Sequence, residues 1–308
     1  MAKSCFFCGA DIDSKQTREH IFADAFLRDF DLKNKVMHFR GRQSVQYSRI
    51  RVPAHARCNN EFGSRFESYV LELLRSLDDN LDTLRQMHLL QPSETAKRVR
   101  EALCQWLAKL HFGLIYWEAH LVCHRDRAYQ RNLAGLLQSE AFTYMRRCFI
   151  EFYAFNCPSS LYHFDLPDPP HPALRFDFGS ALDTSAFYVR IDRHLLVVAL
   201  ADAYLVQEWL TPEVHGDLQR QIEEQGSEDP VCYLHAVGQI WSVRENLPVR
   251  PHLLYSDDAI RDHSRLGHDA KPSINGERVN DRAEEITAHL AERFRPALDR
   301  RAEWQWPD

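Results

Sequence analysis

Apolar residues recur at helical spacing through the middle of the chain and at strand spacing toward its end. Val99, Leu103, Trp106, Leu107, Leu110 and Leu114 repeat at i, i+3, i+4 and i+7, the face of an α-helix, behind a start signal at Pro92 and Ser93. A second helical stretch is expected over residues 126–155. The run Phe164-Asp165-Leu166-Pro167-Asp168-Pro169-Pro170-His171-Pro172 cannot sustain a helix, because proline removes a backbone donor and restricts the residue before it. It reads as a boundary. Beyond it, residues 186–200 are rich in Val, Ile, Leu and aromatic residues and read as two strands around a turn near Asp192 and Arg193. Further strands are expected near 232–243 and 249–255, then a turn at Asn275-Gly276 and a helix over 280–298.

The first 68 or so residues differ from all of this. They are short in element length and rich in turn formers, with a basic stretch that alternates like a hairpin between two compact motifs; the helical pattern begins near Glu67. The reading is therefore an α+β protein of roughly two domains. A small N-terminal unit occupies residues 1–68, and residues 69–308 form a helical and then mixed region with antiparallel strands, with a sub-boundary near 165–172.

Composition narrows the class. With 44% hydrophobic residues the chain can bury a sizeable core, yet no stretch approaches the ~20 apolar residues that cross a bilayer, and the N-terminus lacks the apolar run of a secretory signal. A cytoplasmic protein with no membrane partner is expected. Eight cysteines are too few for a disulfide scaffold at this length, so a close pair reads as a metal site or redox pair. Cys104, Cys123, Cys148, Cys157 and Cys232 lie in apolar surroundings and read as core thiols. The net charge of −6 is unevenly spread: residues 1–70 carry 12 Lys and Arg against 8 Asp and Glu. Their basic charge gathers in Lys33, Lys35, Arg40, Arg42, Arg49, Arg51 and Arg57, a pattern that suits a polyanion or an ordinary solvated face.

The chemistry-bearing pattern is Cys5-x2-Cys8, ten residues, Glu19-His20, thirty-four residues, and His55-x2-Cys58-Asn59. Structural zinc takes four Cys or His ligands, and a two-residue gap lets both members of a pair reach one ion from a tight turn. Cys5, Cys8, His55 and Cys58 meet that requirement. They bracket a short segment with little core of its own, which needs a staple.

The same residues, with Glu19-His20 inside the bracket and Asn59 directly after it, resemble the HNH (ββα-metal) endonuclease superfamily in its zinc-stapled form. The resemblance covers only residues 1–68. It implies that Glu19 ligates a catalytic Mg²⁺ or Mn²⁺, that His20 is the general base, and that Asn59, or Asn60 in a shifted register, completes the metal site at the head of a helix. The residue types suit the task. A histidine of intrinsic pKa near ~6.5 can accept a proton from water at neutral pH, and carboxylate and amide oxygens suit a hard cation. Ala23 stands where the family commonly has proline, His55 where a fourth cysteine is usual, and no asparagine corresponds to the middle letter of the motif name.

The expected activity is hydrolysis of DNA phosphodiesters, duplex rather than single strands or RNA, with Arg40, Arg42 and Arg65 as candidate phosphate contacts. The remaining residues, with 26 basic against 36 acidic side chains for positions 71–308, suggest a protein partner or small effector that regulates cleavage. By analogy of architecture, that suits a bacterial antiviral defence or mobile-element setting. The alternative is a non-catalytic zinc module that binds nucleic acid or a partner protein. His263 and His268, with Asp262 and Asp269, lack ligand geometry, and His111, His120, His124, Trp106, Tyr116 and Trp117 read as packing or surface residues rather than as sites.

Overall fold

The helix expected behind Ser93 is the longest among the described residues. A computed structural model describes residues 4–12, 16–37, 45–62, 66–89, 91–122, 127–138, 146, 149, 159–168, 175–180, 186–199, 215–216, 219–220, 223–224, 273–274 and 277–278. In chain order the elements are β1 (Gln16–His20), α1 (Asp24–Asp29), β2 (Val36–Met37), β3 (Val45–Gln46), β4 (Arg51–His55), α2 (Ala56–Phe62), α3 (Ser68–Arg75), α4 (Leu81–Gln86), α5 (Glu94–Tyr116) and α6 (Arg127–Leu137). They continue as β5 (Ser160–Asp165), β6 (Phe176–Ser180), β7 (Ala186–Ile191), β8 (His194–Ala199), β9 (Ser273–Ile274) and β10 (Glu277–Arg278). The fold is α+β with antiparallel sheets.

Ser93 caps α5, its hydroxyl accepting from the Ala96 amide at 3.3 Å, an interaction worth ~1 kcal/mol. The apolar stripe predicts one buried face. Instead α5 is buried nearly all round, because α3, α4 and α6 pack on it together with β7. Polar side chains are enclosed with it: Arg100, Gln105, Lys109 and His111.

The larger sheet runs β5-β8-β7-β6. The turn expected between residues 191 and 194 joins β7 to β8, with Asp192 at φ 50°, a left-handed conformation that Asp tolerates. Strand β5 reaches into the proline run. Phe164 and Asp165 pair with Leu195 and His194, so the sheet runs into the first two residues of that segment and ends before Pro167. Strand β6 is also outside the expectation, since its Gly179 and Asp177 dilute the alternation. Phe176, Phe178, Phe187, Val189, Leu196 and Val198 face the main core. Against Tyr162 and Phe164 lie the rings of His88 and His215, stacked on one another at 4.3 Å.

Three enclosed histidines give the fold a pH signature. Burial pushes His88 down to about 4, and His111 and His163 to about 3. Their folded pKa values lie below the unfolded 6.5, so the unfolded chain binds more protons, and stability present at neutral pH is lost as pH falls from 6.5 toward 4. Each ring contributes about 2 kcal/mol to the difference between pH 7 and pH 5. Urea titrations at the two pH values should show that loss; equal midpoints would contradict enclosure of neutral rings.

Near the N-terminus β1 and β4 form an antiparallel ladder, Gln16 opposite His55 and His20 opposite Arg51. The intervening chain holds α1 and the small β2–β3 hairpin expected of the basic stretch. Helix α2 follows β4 directly. The N-terminal unit does not have a core to itself. Phe6 packs on Phe112, Tyr116 and Phe149, Phe22 on Phe176 and Phe178, and Phe26 on Trp106, so one apolar cluster crosses position 68. Cys104, Trp106 and His111 are buried, as expected of packing residues.

Strands β9 and β10 pair across Asn275-Gly276. The strands expected at 232–243 and 249–255, the helix at 280–298, the histidines at 263 and 268, His124, and Cys123, Cys148, Cys157 and Cys232 lie outside the described residues. Among the described residues no helix is long and apolar enough to cross a membrane.

Candidate functional site

The Cys5–Cys8 segment is a tight turn built by its own backbone. The Gly9 amide donates to the Cys5 carbonyl at 2.9 Å and the Cys5 amide to Ala10 at 2.7 Å. Gly9 has φ 76°, and a Cβ there would also meet the Arg146 guanidinium at 3.1 Å. That guanidinium closes over the turn, donating to the carbonyls of Phe6 at 3.1 Å and Phe7 at 2.9 Å. The Phe6 amide donates to Pro53 on β4, which fixes the turn to the ladder. His55, the last residue of β4, and Cys58, in the first turn of α2, approach from the other side.

The four ligand atoms of Cys5, Cys8, His55 and Cys58 lie within 4.8 Å of one another, so the cluster could hold a metal ion such as zinc. The histidine is oriented for it. Nδ1 lies 3.3 Å from the Cys8 sulfur and Nε2 lies 3.2 Å from the Asp11 carbonyl. With its proton on Nε2 donated to Asp11, the ring turns the Nδ1 lone pair toward the sulfurs, the usual outer support of a metal-bound imidazole. Although burial acts to raise it, backbone donors from His55, Cys8 and Phe7 hold the Cys5 thiol below its ordinary value, while burial and the neighbouring sulfurs push Cys58 up to about 12. Three sulfurs this close resist ionising together, and a divalent cation relieves that conflict.

At the far end of β1 stand Glu19 and His20. Glu19 is buried and forms an ion pair with Lys109 of α5. The same ammonium pairs with Glu67, at the entry to α3, and donates to the His20 carbonyl at 3.1 Å. Burial pushes Glu67 above the usual carboxylate range while Lys109 pulls it down; Lys109, despite its burial, is held above its ordinary value by the two carboxylates. His20 is half-buried, and burial followed by the Arg51 charge lowers its pKa, with Asp24 and Glu67 opposing. The imidazole is therefore neutral at pH 7. Its Nε2 is buried and has no hydrogen-bond partner among the described residues.

The next residue ties this end of β1 to α5. Ile21 is fully buried, its amide donating to Ile50 at 3.1 Å, and a Cβ at Gly113 would stand 2.4 Å from its Cδ1 and 3.2 Å from its Cγ2. Gly113→Ala should therefore cost about 1–3 kcal/mol through overpacking. Urea unfolding checks it, and an unchanged midpoint would mean that the two elements separate freely.

The site residues expected from sequence divide into three groups. Cys5, Cys8, His55 and Cys58 converge. Glu19 and His20 are adjacent at a strand end, and Asn59, half-buried, and Asn60, exposed, lie on α2, which packs against both β1 and β4. Among the described residues no group of three or more His, Cys, Asp or Glu besides the cysteine cluster is arranged to hold a metal ion. Arg40, Arg42 and Arg65 lie outside the described residues. Sequence reasoning missed two neighbours of the dyad, Glu67 and Lys109, and named Arg51 only as part of the basic stretch. Arg51 is exposed, directly opposite His20 in the ladder. A lysine inside an apolar helical stretch was the available signal for Lys109. Compared with models of known families, with curated proteins and with solved structures, the chain finds no match.

Proposed function

We propose that the chain is a metal-dependent endonuclease of the HNH type that hydrolyses DNA, with zinc in the Cys5, Cys8, His55, Cys58 cluster as its structural staple. The observation that carries this reading is the strand–strand–helix unit. A neutral histidine beside a buried carboxylate ends β1, while the metal-binding cluster closes the opposite end of the same ladder. A purely structural zinc module has no need of that dyad.

His20 acts as general base. Its imidazole takes the proton from the attacking water, and depression of its pKa keeps it available near neutrality. Glu19 and Asn59, with Asn60 beside it, are the residues that would hold Mg²⁺ or Mn²⁺. That ion supplies charge neutralisation at the phosphate and leaving oxygen. Arg51, directly opposite His20 in the ladder, would contact the substrate phosphate, and Arg49 and Arg57 are further exposed arginines of the same unit. A regulatory partner or effector acting through the later regions has a physical route to the site, since α5 touches it through Lys109.

One observation favours the second reading, a zinc module that binds without cutting: Glu19 already has a cation in Lys109. The test is incubation of zinc-loaded protein with labelled duplex DNA, single-stranded DNA and RNA in Mg²⁺ or Mn²⁺. Shortened duplex products support the nuclease; intact but retarded nucleic acid supports the binding module.

A further inference from the structure

Lys109 is enclosed, and its ammonium is shared by Glu19, Glu67 and the backbone carbonyl of His20. These contacts join three separate elements: the end of β1, the entry to α3, and the middle of α5. The charge balance among them matters for what Glu19 can do. One lysine against one carboxylate is a neutral pair, with little attraction left for a second cation in a site that water scarcely screens. A second carboxylate on the same ammonium leaves these three side chains with one net negative charge when both acids are ionised.

We propose that Glu67 is a positioning residue of the cleavage site: by sharing Lys109 with Glu19, it leaves Glu19 free to take a divalent cation. This rests on the nuclease reading above. Lys109 fixes the two carboxylates before the ion arrives and keeps them from repelling each other. Glu67 prevents the lysine from becoming wholly Glu19's. The geometry also explains why the dyad is built against α5 instead of standing alone on its hairpin.

The test measures Mn²⁺ binding to the full-length, zinc-loaded chain by the electron paramagnetic resonance signal of free Mn²⁺, with plasmid cleavage followed in parallel. Glu67→Gln should weaken Mn²⁺ binding by roughly 10- to 100-fold, the range for groups that support a metal ligand, without loss of zinc. Glu67→Gln combined with Lys109→Met should recover most of that affinity, because Glu19 is then released from the lysine. A structural role for Glu67 does not produce rescue by removal of a second buried group. Glu67→Asp, which keeps the charge on a side chain one methylene shorter, should bind Mn²⁺ more tightly than Glu67→Gln.

The proposal is overturned if Glu67→Gln binds Mn²⁺ as the parent does. It is also overturned if the double variant fails to recover affinity, or if Glu67→Asp loses as much as Glu67→Gln. A parent that cuts DNA while its Glu67 variants bind and cut normally removes this inference alone. A parent that neither binds Mn²⁺ nor cuts removes the nuclease reading, and this inference with it.

Discussion

Cys8→Ser should strip the metal from the cysteine cluster and loosen the whole N-terminal unit. Serine keeps the size of the side chain but not the thiolate, leaving three ligands where four lie within 4.8 Å of one another. The turn from Cys5 to Gly9 is held by its own hydrogen bonds, the Arg146 guanidinium and the strap from Phe6 to Pro53. It seats Phe6 against Phe112, Tyr116 and Phe149, so its loss reaches the main core. Structural zinc contributes on the order of 10 kcal/mol to small zinc-folded peptides. A unit partly supported by a larger core should lose less, roughly 3 kcal/mol or more. Metal analysis and urea unfolding check both halves. A variant with a full equivalent of zinc and an unchanged midpoint would show that the cluster is no staple.

His20→Ala should have the opposite profile, a large effect on rate and almost none on the fold. The ring is half-buried, its Nε2 makes no hydrogen bond among the described residues, and the contact that fixes this end of β1 is made by the His20 backbone carbonyl, which alanine retains. Removal of a general base typically costs ~10² to 10⁴ in rate. Zinc content and the unfolding midpoint should match the parent. Cleavage within a few-fold of the parent would exclude His20 as the base.

How much of this was legible in the sequence depends on the range of the interaction. The Ser93 cap, the helix behind it and the turn at Asp192 are set by neighbours a few residues apart, and local pattern found them. The metal cluster spans some fifty residues, yet spacing revealed it because a two-residue gap at each end has a geometric meaning. Strand β5 was hidden because local proline chemistry spoke more loudly than its pairing with β8, which is fixed by residues thirty positions away. The Glu19–Lys109–Glu67 group was hidden for the same reason. Its members are separated by 90 and 42 positions, and nothing near Lys109 announces that a lysine in an apolar helix points at two acids. The helix at the centre of the fold also belongs to the site, which a reading confined to residues 1–68 could not reveal.

The account stands most directly on cleavage of supercoiled plasmid by the zinc-loaded parent and His20→Ala proteins at low salt, with Mg²⁺ or Mn²⁺ added or withheld and zinc retention verified in each sample. Nicked or linear DNA formed by the parent only with added divalent ion, and lost in the variant, is the predicted result. Plasmid left intact by a parent that holds its zinc, or cut equally by both proteins, would contradict it.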